Sequence, residues 1–150
     1  MTFNREDWNR RKAGWEEDTL AYTAGFLDGE GCFWVGRGWK IGVSCANTDL
    51  SVIRWLQNNF GGSISKPRPL RKPNHRPVWT WQVVGHSARE LCAYVTPYLR
   101  EKAPQALLLV SLSQLMGLPL KGRYIDPEVI EERDRLTEIL KGMKHRVSRP

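Results

Sequence analysis

The sequence predicts an α+β fold in which helices cover one face of an antiparallel sheet. Two segments, residues 33–45 and 63–84, show the alternating apolar pattern of strand pairs, and each is preceded by a segment with helical spacing. The predicted order is helix, strand, strand, helix, strand, strand, helix, with further helices after it. Because we interpret both strand pairs as hairpins, the sheet is expected to be largely antiparallel.

The N-terminal third is predicted to contain a basic arm, a helix and a hairpin. Residues 1–16 are polar and basic, so we expect an arm that packs only partly on the domain. A helix capped by Asp18 or Thr19 is predicted to about residue 28, because glycines follow at positions 29 and 31. The hairpin over residues 33–45, which includes Trp39 as a strand residue, is expected to turn at Gly36-Arg37-Gly38.

The middle of the chain predicts a second helix and a second strand pair. The helix is expected to start at Asn47, Thr48 or Asp49 and to end at Gly61-Gly62. Strands are predicted over residues 63–66 and 77–84. In the second of these, alternation places Trp81 in the core and Thr80 and Gln82 on the opposite face.

Further helices are predicted after the strands. Ser87 and Glu90 have the spacing of a capping box, which predicts a helix to about residue 95. Pro104 is expected in the first turn of the next helix. Asp126-Pro127-Glu128 is typical of the start of a final helix, which Gly142 is expected to end.

Length and composition predict one folded domain with a polyanionic partner. The chain has 150 residues, 41% of them hydrophobic, and a formal net charge of +7. An excess of Lys and Arg favours binding to phosphates, because each contact releases counterions. A soluble basic protein without such a partner is the alternative. We expect an arm over residues 1–16, a domain over 17–145 and a tail over 146–150.

The cysteines and apolar runs argue against disulfides, zinc and membranes. Cys32, Cys45 and Cys92 are odd in number and widely spaced, which is atypical of a disulfide framework or a zinc site. The longest apolar run, residues 106–110, is too short to span a bilayer, and the N-terminus lacks the apolar core of a signal peptide. We therefore expect a soluble, intracellular protein without a membrane partner.

Small residues on the first helix predict a close contact with another backbone. Ala21, Ala24, Gly25 and Asp28 lie at three- and four-residue spacing, on one face of that helix. Glycine inside a helix costs about 1 kcal/mol relative to alanine, so Gly25 needs a packing reason. We favour a two-fold contact with the same helix of a second copy. Tight packing against the chain's own core is the alternative.

The acid between two glycines, Glu30, is a candidate metal ligand. A carboxylate at a helix C-terminus lies in an unfavourable dipole field, which a nearby cation would relieve. Its hard oxygen atoms suit Mg²⁺, or another divalent cation such as Mn²⁺. From the residues alone, a solvated acid in a turn is an equally good interpretation.

A proline-rich basic segment lies between the second pair of strands. Residues 66–77 read KPRPLRKPNHRP, and proline stiffens such a segment and prevents regular strand pairing. Its five basic side chains are candidates for phosphate contacts: Lys66, Arg68, Arg71, Lys72 and Arg76. The alternative is a solvated charge run that keeps a hairpin tip soluble.

The sequence from Thr23 to Gly31, TAGFLDGEG, resembles the nine-residue signature of the LAGLIDADG homing endonucleases. The similarity extends over about residues 19–115. It includes WQVVG at 81–85, and YLREK at 98–102 followed by Gln-Ala at 105–106. The departures from the signature include Thr23 in place of its first leucine and Glu30 in place of its last aspartate.

The resemblance implies a fold, an activity and a set of site residues. The fold would be an αββαββα unit with a saddle-shaped sheet and an extra C-terminal helix. Glu30 would bind the metal together with the Gly29 carbonyl, Lys102 would stabilise charge at the scissile phosphate, and Asn47 would order water. Because the signature occurs once, the chain would act as a homodimer on a long, roughly palindromic site in double-stranded DNA. Such proteins usually confer mobility on introns or inteins, and no small-molecule substrate is expected.

The sheet face opposite the helices is expected to contact DNA. Side chains predicted to read bases are Trp34, Arg37, Lys40, Ser44, Thr80 and Gln82, and Arg100 would join the basic segment on phosphates. Two alternatives remain open. One is a non-catalytic binder of the same fold, either an RNA maturase or a transcription regulator. The other is an unrelated basic α+β interaction module.

Overall fold

The structure is a computed structural model that describes residues 4–67, 69, 72–116 and 126–146. Within these ranges, four antiparallel strands form one open sheet in the order β1-β2-β4-β3. Helices pack against one face of this sheet, and the predicted α+β class is confirmed. The strands are β1 (Gly31–Val35), β2 (Ile41–Asn47), β3 (Ser63–Ser65) and β4 (Trp79–Val84).

The helices of the described ranges come before, between and after the strands. They are α1 (Arg5–Lys12), α2 (Glu17–Glu30), α3 (Leu50–Phe60), α4 (His86–Val95), α5 (Ala103–Met116) and α6 (Pro127–Arg146). Short 3₁₀ turns cover Arg37–Trp39 and Thr96–Tyr98. The segment from α2 to α4 therefore has the predicted αββαββα order, with α1 before it and α5 and α6 after it.

Strict alternation along the strands separates a core face from an open face. Phe33 pairs with Val43, and Val43 pairs with Val83; all three are almost completely buried beneath the helices. Ser44 pairs with Gln82 on the opposite side, where the side chains are half-buried or exposed. We call that side the open face. Its members on the four strands are Cys32, Trp34, Gly42, Ser44, Ala46, Ser63, Ser65, Thr80, Gln82 and Val84.

The core is continuous between the sheet and the helices α2 to α6. In α3, Ile53, Leu56 and Phe60 are spaced for one buried face, as predicted, and the Asp49 side chain caps that helix. Trp81 is fully buried against this layer, and its indole N–H donates to the Gly61 carbonyl oxygen at 2.8 Å. Burying a large aromatic side chain with its polar atom paired stabilises the centre of the sheet.

The basic arm contains a helix, α1, which the sequence analysis did not predict. Asn4 caps it by accepting from the backbone N–H groups of two residues in the first turn. Arg11 Nη1 donates to the carbonyl oxygens of Gln57 and Asn58 at 3.0 and 2.6 Å. The indole of Trp15 donates to the next carbonyl of α3, at 2.8 Å. The arm thus provides donors for the Asn58 and Asn59 carbonyl groups in the last turn of α3, where a helix runs out of its own N–H donors.

The β1–β2 turn differs from the prediction because a distant helix holds it. Trp39 lies in the turn rather than in a strand, with a positive φ of 59°. Its indole N–H donates to Asp134 of α6 at 3.2 Å, and the Arg133 guanidinium lies 5.1 Å from its ring centre. These contacts offset the cost of the left-handed backbone conformation.

Two predicted helix ends are also corrected. The capping box of Ser87 and Glu90 does not form, because α4 begins two residues earlier than that box requires, with Gly85 as its N-cap. Glu90 instead pairs with Lys12 of α1 at 3.0 Å. Helix α6 continues past Gly142 to residue 146, since a single glycine weakens a helix without ending it. Within the described ranges, none of the helices has the length and hydrophobicity that a bilayer span requires.

The position of the Trp34 side chain predicts that a residue larger than glycine at position 42 destabilises the protein. The Trp34 indole lies directly over Gly42 on the open face, so a Cβ atom at position 42 would overlap the ring. We expect Gly42→Ala to lower the free energy of unfolding by about 1–3 kcal/mol, as overpacking does. Gly142→Ala, where a Cβ atom meets open space, is the control and should be neutral or slightly stabilising. Equal stability of the two variants in urea denaturation would contradict this packing.

Candidate functional site

Glu30 is the last residue of α2 and stands immediately before the sheet. The helix passes directly into β1, and the Glu30 side chain is exposed. The next residue, Gly31, lies so close to Leu27 that a Cβ atom there would be 2.6 Å from the Leu27 carbonyl oxygen. Glycine at position 31 therefore allows the abrupt change from helix to strand. The result is an exposed carboxylate at one end of the sheet.

Asp28 and Lys102 join the end of α2 to the segment that precedes α5. The Asp28 carboxylate accepts from the backbone N–H groups of Arg100, Glu101 and Lys102, at 2.9, 3.2 and 3.0 Å. Lys102 Nζ returns two hydrogen bonds, to the carbonyl oxygens of Leu27 at 3.0 Å and Gly31 at 2.7 Å. We call these hydrogen bonds the Asp28–Lys102 lock. A carboxylate beside a helix N-terminus and an ammonium beside a helix C-terminus are both favourably placed in the helix dipoles.

The lock places a positive charge beside Glu30. Lys102 binds carbonyl groups on both sides of Glu30 in the chain, so its ammonium group offsets the unfavourable dipole field at this helix end. Sequence analysis predicted that Lys102 belongs to this site, but it did not identify the two carbonyl groups to which its ammonium group donates. Asp28 was predicted on a partner-facing surface, whereas its carboxylate is used inside the chain.

One residue of the predicted helix contact is corrected. Ala24 is completely buried in its own chain, because it points toward the core with Leu27. Ala21 and Gly25 are exposed, and so is Gly29 one turn later. A Cβ atom on Gly25 or Gly29 would meet nothing within 4 Å. We call Ala21, Gly25 and Gly29 the small-residue stripe of α2.

Two residues of β2 lie at the same end of the sheet as Glu30. Cys45 pairs with Gly31, and burial raises the pKa of its thiol to about 12, with the Glu30 charge as the second cause. Asn47 lies two residues further along β2, beside the predicted pocket. Its side-chain oxygen accepts from the Asp49 backbone N–H at 2.8 Å, so this atom takes part in the turn before α3.

The predicted base-reading residues lie on or beside the open face. Trp34, Ser44, Thr80 and Gln82 are on that face by register. Arg37 and Lys40 are exposed in and after the β1–β2 turn. Sequence analysis missed Ser63 and Ser65, which pair with Gln82 and Thr80 and extend the same surface. The available signal was that Ser63 and Ser65 are two residues apart in a predicted strand, which places both on the same face.

The basic residues predicted to contact phosphates are only partly described. Lys66, Lys72 and Arg76 are exposed between β3 and β4. Arg100 is also exposed, and its backbone N–H belongs to the Asp28–Lys102 lock. Arg68 and Arg71 lie outside the described residues.

The oxygen donors at the end of α2 fit a hard divalent cation in part. They are the exposed Glu30 carboxylate and the Gly29 carbonyl, and such ligands suit Mg²⁺ or Mn²⁺. In the part of the chain that is described, no cluster of three or more His, Cys, Asp or Glu side chains could hold a metal ion.

Removal of the Asp28 carboxylate is predicted to destabilise the α2–α5 junction. Asp28→Ala should lower the free energy of unfolding by about 1–2 kcal/mol, because three backbone N–H groups lose their acceptor. Asp18→Ala, which removes an exposed acid from the first turn of the same helix, should change it by less than about 0.5 kcal/mol.

A double-mutant cycle in urea tests whether the lock acts as a unit. Combining Asp28→Ala with Lys102→Met should give a coupling free energy above about 0.5 kcal/mol. Strict additivity of the two substitutions would show that Asp28 and Lys102 stabilise the junction independently.

Solved structures similar to this chain include homing endonucleases in complex with DNA, whereas no family model and no curated protein sequence matches it. The homing endonuclease I-CvuI, in complex with its target in the presence of calcium, is 21% identical, with a TM-score of 0.62 over 93% of this chain and 85% of that chain. The archaeal intron-encoded homing endonuclease I-Vdi141I, complexed with DNA, is 16% identical, with a TM-score of 0.65 over 85% and 86% of the two chains.

A longer protein matches over less than half of its own length. The LAGLIDADG meganuclease I-AabMI, bound to uncleaved DNA, is 17% identical, with a TM-score of 0.59 over 79% of this chain and 43% of that chain. At these identities the similarity establishes architecture, and it agrees with the signature that ends at Glu30 and Gly31. The chain therefore has the fold of the LAGLIDADG homing endonucleases.

Proposed function

We propose that this chain is a site-specific double-strand DNA endonuclease that acts as a homodimer and depends on Mg²⁺ or another divalent cation. The main support is the exposed Glu30 carboxylate, which the Asp28–Lys102 lock holds at one end of a polar open face. The similar structures I-CvuI and I-Vdi141I are endonucleases in complex with DNA. A role in the mobility of an intron or intein would follow from this activity.

The small-residue stripe supports pairing of two chains through α2. Ala21, Gly25 and Gly29 are exposed, and the backbone at both glycines faces open space. A two-fold contact along this stripe would bring each residue near its own copy. It would also place two Glu30 carboxylates close together, so that each chain contributes one acid to a shared site. The match covers 85% of I-CvuI but only 43% of I-AabMI. This chain is thus similar in size to the first protein and to about half of the second, as expected if two copies form one symmetric unit.

The chemistry assigned to this site uses few side chains. Glu30 and the Gly29 carbonyl would hold a divalent cation, which activates water and stabilises developing negative charge. Lys102 keeps the end of α2 in place and contributes a positive charge near the phosphate that reacts. Asn47, at the same end of the sheet, would orient water through its amide nitrogen.

DNA recognition is assigned to the open face and its flanks. The polar and aromatic side chains of Trp34, Ser44, Thr80 and Gln82 would contact base edges, together with Arg37 and Lys40 at the turn. The exposed Lys66, Lys72, Arg76 and Arg100 would contact phosphates. Two such faces related by a two-fold axis would require a long and roughly palindromic site.

A second candidate function is a non-catalytic nucleic-acid binder of the same fold, such as an RNA maturase or a transcription regulator. The observation in its favour is that Lys102 Nζ is occupied by two carbonyl groups of its own chain. Against it stands Glu30, because a pure binder gains nothing from an exposed acid next to a surface for a polyanion.

Cleavage is predicted to depend on Glu30 and on a divalent cation. With libraries of random-site duplexes, wild-type protein should cut a specific site only when Mg²⁺ or Mn²⁺ is added. Glu30→Gln keeps the shape of the side chain but removes its charge, and should reduce cutting at least about a hundredfold while binding persists. Glu101→Gln, an exposed acid nearby, is the matched control and should cut normally.

The outcomes separate the two functions. If Glu30→Gln cuts as fast as wild type, the proposed chemistry is wrong. Specific binding by the wild-type chain with no cutting under any divalent cation would instead support the non-catalytic binder.

Dimerisation is predicted to depend on Gly25. Gly25→Val places a branched side chain on the small-residue stripe, which would hold two α2 helices apart. We expect this variant to sediment as a monomer at concentrations where wild type sediments as a dimer. Gly142→Val, also in a helix facing open space, is the control and should remain dimeric. A dimeric Gly25→Val variant would show that the chains pair elsewhere.

A further inference from the structure

A polar cleft lies beside the edge of the sheet where β3 ends. Strand β3 has three residues and pairs with β4 only from Gln82 back to Thr80. Past this point, Val83 and Val84 have no neighbouring strand on that side, and α1 passes there instead. The cleft between them has a volume of about 740 Å³.

The walls of the cleft contain apolar, polar and charged side chains, and most of the charged ones are cationic. Arg10, Arg11 and Lys40 all line it, against a single carboxylate, that of Asp7. Arg11 is used structurally, since it binds Asp7 at 2.8 Å and the last carbonyls of α3. The Arg10 side chain is 78% exposed and reaches Asp7 only at 3.4 Å. Arg10 and the exposed Lys40 are therefore the two cationic groups most accessible to an anion.

The cleft is continuous with the open face. Ser63 and Gln82 line the cleft, and by register both also belong to the open face. The first turn of α4 completes the wall at Ser87, beside an N-cap glycine that provides no side-chain acceptor for the first N–H groups. The positive end of that helix dipole adds to the charge of the arginine and lysine side chains.

We propose that this cleft binds a backbone phosphate of the DNA duplex beyond the edge of β3, with Arg10 as the contacting group and Lys40 as a positive charge beside it. The inference rests on the proposed DNA-binding function and extends the footprint of each subunit. It assigns α1 a role in binding as well as in capping α3. A phosphate suits the cleft because Arg10 and Lys40 are accessible at its walls, and because the open face, which we assign to DNA, continues into it.

The salt dependence of DNA binding tests this contact. The logarithm of the binding constant falls with the logarithm of salt concentration, with a slope of about 0.9 for each phosphate neutralised. Arg10→Gln removes one contact from each subunit, so the slope for a dimer should decrease by about 1.8. Arg10→Lys, which keeps the charge, should retain most of the wild-type slope. Arg54→Gln, an exposed arginine of α3 in the helix layer, is the matched control and should keep the wild-type slope.

Shortening the duplex locates the contact. On a duplex trimmed to end beneath the open face, wild type and Arg10→Gln should bind equally. Replacing single flanking phosphates by neutral methylphosphonates should weaken wild type at one position per half-site and leave Arg10→Gln unaffected there. An unchanged slope for Arg10→Gln, with DNA still bound, would overturn this inference and leave the proposed function intact. If wild-type protein fails to bind any duplex, both the proposed function and this inference fall.

Discussion

The Asp28–Lys102 lock joins two helix ends of opposite polarity, and the geometry of the candidate site depends on it. The carboxylate satisfies the N–H groups ahead of α5, while the ammonium group satisfies carbonyls at the end of α2. The carboxylate and the ammonium group therefore both lie where a helix dipole favours their charge. Because Glu30 lies between the two carbonyls that Lys102 binds, its backbone is fixed at the point where helix becomes strand. An acid placed in this way can face outward without unravelling the last turn of the helix.

Helix α2 has two faces with different roles. Ala24 and Leu27 are completely buried and anchor the helix to the core, whereas Ala21, Gly25 and Gly29 remain exposed. The sheet repeats this division, with Phe33 and Val43 inside and Ser44 and Gln82 on the open face. Function is proposed at the place where the two exposed surfaces meet, which is the end of α2 beside β1.

Local patterns in the sequence predicted most of the fold, and long-range contacts account for the differences. Alternation identified the open face, and glycine spacing located Glu30, because these signals lie within a few residues of each other. Helix α1 was missed since its order depends on Arg11 and Trp15 reaching the end of α3. The Trp39 turn depends in the same way on α6, about a hundred residues further along the chain. At the site, sequence analysis singled out Asp28 and Lys102 one by one, but it did not find their hydrogen-bond partners. Each partner lies more than 70 positions away along the chain, and no periodicity encodes such a pairing.

The central claim is that one active unit needs two chains, each with an intact Glu30. Mixing wild-type protein with Glu30→Gln at constant total concentration, after exchange of subunits, tests it directly. Double-strand cleavage should fall as the square of the wild-type fraction, because only dimers with two glutamates are fully active. A decline in direct proportion to the wild-type fraction would show that a single chain cuts both strands, and would contradict the account.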